Sequence, residues 1–125
     1  MAKQSQTVET FQNILQELKN KIYKPIYFLT GDEPYFIDKI AEYIEDNVLS
    51  SSEKAFNQTV VYGRDISAAD IINAARRFPM MSNYQVVIVK EAQNVRNLSD
   101  LEIYLKTPLN STILVVCYKI ASDGK

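Results

Sequence analysis

The sequence predicts an α/β fold, a three-layer α/β/α sandwich with a mostly parallel sheet. Three observations predict it. The apolar runs "PIYFLT", "YQVVIVK" and "STILVVCY" lack the alternation of a half-exposed strand, as strands covered on both faces do. Segments with helical periodicity separate the strand candidates. Buried strands joined by helices call for right-handed crossovers, which place helices on both sides of one sheet. A chain of 125 residues suffices for one such domain. At this size a domain buries roughly two thirds of the surface its unfolded chain exposes.

The elements follow in order. Val8, Phe11, Ile14, Leu15, Leu18 and Ile22 recur at helical spacing. Thr7 is placed to cap this helix and Glu9 to complement its dipole, with Lys19 and Lys21 near the other end. The helix stops before Pro25, and "PIYFLT" is the first strand. Pro34 opens a second helix in its first turn, where a missing N–H costs nothing. Phe36, Ile37, Ile40, Ala41 and Ile44 form its apolar face, to about Val48. "SSSEKAFNQ" reads as a polar loop and "FNQTVVYG" as a second strand closed by Gly63. Ser67 caps a third helix, with Asp70 three positions on as an imperfect capping box. Its stripe is Ala68, Ile71, Ile72 and Ala75, and it ends at Arg76 and Arg77, which complement the helix C-terminus. "YQVVIVK" is the third strand. Ser99 is expected to cap a short helix through "DLEIYLK", stopped by Pro108, and "STILVVCY" is the fourth strand. Only "KIASDGK" follows a strand of central character. Residues 1–125 are therefore expected to be one domain of a longer chain, truncated after its fourth strand.

Composition narrows the function. Fourteen basic residues face fifteen acidic ones, for a formal charge of −1 and no long run of either sign. Nucleic-acid surfaces carry a basic excess, because neutralising phosphates supplies most of their affinity. A principal DNA-binding surface is not expected. The absence of histidine excludes Ser-His and Cys-His couples and removes the commonest zinc and iron ligand. The single cysteine, Cys117, lies within "TILVVCY" and reads as a buried strand thiol; a reactive one needs an accessible, electropositive setting. No run approaches the ~20 apolar residues that span a bilayer. "MAKQSQTVET" lacks the apolar centre of a signal peptide. The expected location is cytoplasmic.

The stretch "YFLTGDEPYFIDKI" has the strand, glycine turn and helix of a phosphate-binding loop. A working loop, G-x-x-x-x-G-K-[ST], curls backbone N–H groups around phosphates, adds a lysine to the outer ones and a hydroxyl to magnesium. Counted from Gly31, Phe36 stands at the second glycine, Ile37 at the lysine and Asp38 at the hydroxyl. Asp32 and Glu33 would repel a polyphosphate and are better read as helix-dipole partners. At the end of the third strand, where such enzymes hold magnesium with an acidic residue, stands Lys90, followed by Glu91. Lys90 also disfavours a phospho-receiver domain, which needs an aspartate there. A degenerate phosphate loop is expected, binding neither nucleotide nor metal; the alternative is a nucleotide-binding P-loop-like NTPase domain.

The loop "RRFPMMSNYQ" is unusually apolar. Turns from helix to strand run over the surface and are normally polar, yet Phe78, Pro79, Met80 and Met81 are consecutive. Either some of them tuck beneath the end of the sheet, or they form an apolar plug for a partner. Methionine suits a plug, being flexible and polarizable, and grouped exposed apolar residues mark interaction sites.

The runs "YFLTGDEPYFIDKIAEYI", "INAARRFPMMSNYQVVIVKEAQ" and "LEIYLKTPLNSTILVV" together resemble the N-terminal part of the delta subunits of bacterial DNA polymerase III, over about residues 8–118. There a glycine-acidic-acidic turn replaces the phosphate loop, and a P-x-x-T-x-L pattern introduces the last strand. Here that pattern is Pro108, Asn110, Ser111, Thr112 and Leu114, with one extra spacer. The resemblance implies an AAA+ (P-loop NTPase-like) module without ATPase activity or cofactor. It implies a clamp loader that opens a sliding clamp, the beta subunit, and sets it on primed DNA, touching DNA only through the complex. Lid and collar domains would follow, the collar meeting the gamma/tau and delta prime subunits. The clamp-contacting apolar pair falls on Met80 and Met81, beside Phe78. The family often has leucine and phenylalanine there, so two methionines differ in shape but not in polarity.

Overall fold

The computed structural model describes residues 2–31 and 33–120, with side chains from Thr10 onward. Asp32 and the side chains of Thr7, Val8 and Glu9 lie outside the described residues, as does the segment after Ile120.

Helix α1 spans Ala2–Lys19. Thr7 is therefore inside it and not its cap; the preceding Ala, Lys and Gln residues are good helix formers that extend it. The helix ends in a Schellman turn. Lys21 takes the left-handed conformation (φ 63), Ile22 N–H donates to Glu17 O at 2.9 Å, and Lys21 N–H to Leu18 O at 3.0 Å. Ile22 lies past the helix and is exposed, so it does not continue the apolar stripe.

Strand β1 (Ile26–Gly31) leads to α2 (Pro34–Asn47), which opens on Pro34. Glu33 is the residue before the helix, but its side chain makes no capping hydrogen bond. Ser50 then starts an unexpected helix, α3 (Ser51–Asn57), through a capping box with Glu53. Strand β2 (Gln58–Tyr62), helix α4 (Ala68–Ala75, with the Ser67–Asp70 box formed) and β3 (Gln85–Lys90) follow. The next connection has a 3-10 turn over Leu98–Leu101 and helix α5 (Glu102–Lys106). Ser99 lies within the 3-10 turn; Asn97, in the left-handed conformation at φ 58, precedes it instead. Asparagine tolerates that backbone better than serine does. Strand β4 (Thr112–Lys119) closes the order.

The described strands form one sheet in the order β1-β4-β3-β2, all parallel. Two cores sandwich it. One lies under α1 and α2 and includes Leu18, Ile40, Ile44, Ile88, Ile113 and Val115. The other lies under α4 and α5 and includes Ile71, Ala75, Val87, Tyr104, Leu114 and Val116. This is the expected three-layer architecture. Strands β3 and β4 are buried along nearly their whole length. Strand β1 differs, because it is an edge: Tyr27 and Leu29 are buried while Phe28 and Thr30, which alternate with them, are exposed. Its apolar sequence thus hides an alternation, and Phe28 stacks on Tyr118 at 6.3 Å on the open face.

Candidate functional site

In a parallel sheet all strands start at one end and finish at the other, and ligands of open α/β sheets bind beyond the finishing ends. That end carries the former phosphate loop. Gly31 closes β1 with φ 151, a backbone that disfavours side chains, and an added Cβ would meet nothing nearer than 4.0 Å. The glycine therefore suits the turn by its backbone conformation. Phe36 packs on Phe11 with ring centroids 4.7 Å apart, and Ile37 is in the core. Asp38 binds Lys119 Nζ at 2.9 Å, and Lys90 Nζ lies 3.5 Å from Glu45.

A shallow cavity of about 270 Å³ remains, lined among others by Asp38, Glu42, Lys90, Glu91 and Lys119. Three carboxylates outnumber two ammonium groups, and both ammonium groups are already paired. Such a wall repels phosphate. Cys117 also borders it but is buried, and desolvation pushes its thiol up to about 11, so it stays protonated and unreactive at neutral pH. Among the described residues, no group of His, Cys, Asp and Glu is arranged to hold a metal ion. Nor is any described helix long and apolar enough to cross a membrane.

The opposite end of the sheet carries the apolar loop, residues 76–84, between α4 and the start of β3. Three of its apolar side chains point outward: Phe78 is 78% exposed, Met80 57% and Met81 96%. Of the four consecutive apolar residues only Pro79 is half-buried, so this run does not tuck beneath the sheet, whereas Tyr84 packs against the core. Phe56 on α3, next in sequence to a residue that holds the loop, is exposed as well.

The backbone beneath these side chains is held at several points. At the loop's start, the buried Gln85 amide nitrogen lies 2.9 Å from Ala74 O and 2.6 Å from Arg77 O. The Thr112 hydroxyl, also buried, donates to Ala75 O at 2.7 Å. These two side chains satisfy the last two α4 carbonyls, those of Ala74 and Ala75, while Arg76 and Arg77 are exposed. In the middle, Asn57 contacts Met80 through both backbone groups. At the far end, Ser82 Oγ donates to Glu53 Oε2 at 2.9 Å and accepts from Tyr84 N at 3.3 Å. The Tyr84 ring meets Tyr23 edge-on at 5.3 Å. Met81 itself has φ 57, a rare conformation for a non-glycine residue outside a constrained site.

Glu53 links two jobs. Its Oε1 accepts the Ser50 N–H at 2.8 Å and its Oε2 takes the Ser82 hydroxyl, and these bonds hold its carboxyl below the usual value of 4.5. Sequence reasoning singled out Phe78, Met80 and Met81, which are exposed, but missed Glu53, Asn57, Ser82 and Gln85, which hold the backbone around them. The serine-x-x-glutamate spacing of Ser50 and Glu53 was the available signal for α3.

The curated DNA polymerase III subunit delta of Bacillus subtilis (strain 168) is 27% identical, over 83% of this chain and 33% of that protein. The solved Bacillus subtilis DNA clamp loader delta protein (YqeN) matches with a TM-score of 0.76 and 26% identity, covering 92% of this chain and 38% of that one. The chain thus spans about a third of the length of these relatives. The family model described as DNA polymerase III, delta subunit matches residues 27–125, and the chain belongs to that family.

Proposed function

We propose that residues 1–125 are the AAA+-like module of a clamp-loading delta subunit, and that Met80 and Met81, flanked by Phe78, dock into an apolar pocket on a sliding clamp. The observation that carries the reading is a fully presented Met81 on a backbone otherwise pinned by hydrogen bonds. Large apolar side chains held in water gain most when a partner covers them. The module performs no chemistry. It favours the open clamp by fitting that form better than the closed one, since a binder shifts an equilibrium only by its differential affinity. Nucleotide hydrolysis falls to neighbouring subunits, and DNA is reached only through the assembled loader.

The test is Met80→Ala with Met81→Ala, assayed for binding to the cognate clamp. Both side chains are exposed, so the fold and thermal stability should be unchanged. Anchors at an interface centre commonly contribute at least about 2 kcal/mol each, so the double variant should lose most of its affinity. Wild-type affinity in that variant would remove these residues from the interface.

A further inference from the structure

The geometry points to Asn57 as the residue that positions the Met80–Met81 pair, a proposal that rests on the docking reading above. Asn57 ends α3 and is 3% exposed, an unusual setting for a polar side chain unless its amide is fully used. It is. Oδ1 accepts the Met80 N–H at 2.7 Å, and Nδ2 donates to Met80 O at 2.9 Å and to Glu53 O at 3.0 Å. A side chain that pairs with both backbone groups of one residue does what a neighbouring strand does in a ladder. It fixes the peptide planes on both sides of Met80.

Among the described residues no other hydrogen bond reaches the Met80 backbone. The adjoining Met81 then takes its left-handed φ from a fixed predecessor and from the Ser82–Glu53 tie beyond it. The outcome is a pair of flexible side chains on an inflexible base. A loop already in its bound conformation loses little freedom on docking. If only a fraction of molecules held that conformation, apparent affinity would fall by the same fraction. Asn57 sits on α3, outside the apolar loop, and acts through the Met80 backbone.

The experiment compares clamp binding by the intact protein carrying Asn57→Ala or Asn57→Asp with wild type and with Met80→Ala/Met81→Ala. An Ile88→Val variant serves as a control that lowers thermal stability through the core without touching the loop. Asn57→Ala should bind roughly tenfold more weakly. Asn57→Asp should do no better, because its carboxylate keeps the acceptor but faces the Met80 and Glu53 carbonyls. Ile88→Val should melt earlier yet bind as wild type. Added to the double methionine variant, Asn57→Ala should cost little more. Wild-type affinity in either Asn57 variant, while the methionine variant is impaired, would overturn the positioning role and leave the docking reading standing. Unimpaired binding by the methionine variant would overturn both. A readout independent of variants is amide hydrogen exchange at Met80 in the wild-type protein. Protection is expected, and exchange at the rate of a free loop amide would overturn the proposal.

Discussion

Single residues in this protein owe their identity to backbone geometry more than to chemistry. Gly31 is where a sequence reader looks for phosphate, and its φ of 151 is a backbone that the turn requires and a side chain would strain. Gly31→Ala should cost on the order of 1–3 kcal/mol from backbone strain, measured as a lower denaturation midpoint. Gly63 is different. A Cβ there would stand 1.9 Å from Glu91 O, so Gly63→Ala must displace backbone and should be the more damaging of the two. Lys21 presents the reverse case, a side chain in a conformation glycine prefers. Lys21→Gly should raise stability by up to about 1 kcal/mol in the same assay. None of these φ values was legible in the sequence, because each depends on what the neighbouring elements force on the chain. Phe36, Ile37 and Asp38 were legible, since a phosphate loop is defined by residue type and spacing.

Among the elements, α3 shows how a local signal can be outvoted. Residues 50–58 are polar enough to read as a loop, but Ser50 and Glu53 satisfy one another's neighbouring N–H groups and start a helix. That short helix then supplies Glu53 and Asn57 to the apolar loop, so the supporting residues were hidden by the same misreading. The capping carboxylates make a pH prediction. Glu53 and Asp70 are both held below their ordinary values of 4.5 and 3.8, chiefly by the backbone N–H groups of Ser50 and Ser67. Their contribution is complete above those values and is lost as pH falls through the depressed ones. Thermal melts across acid pH should therefore show a decline that is shallower in Glu53→Gln, where glutamine keeps the box but cannot titrate. Equal slopes would show that the cap is unimportant to stability.

For the molecule as a whole, the parallel sheet separates two surfaces by the length of its strands. The finishing end holds paired charges; the starting end presents the methionines. Titration with ATP and magnesium should accordingly give no binding at micromolar concentrations, and a clear isotherm would revive the nucleotide-binding alternative. The architecture was readable because β3 and β4, buried on both faces, need apolar residues at every position. The half-open β1 was not readable in the same way, since its edge position follows from strand order. One buried atom has a practical consequence for anyone working with this protein. With the only thiol of residues 1–125 buried in β4 and held protonated, this chain should ignore maleimide dyes at neutral pH. A cysteine introduced at the exposed Asn83 would then take the sole fluorophore, a reporter beside the methionines that needs no cysteine-free background.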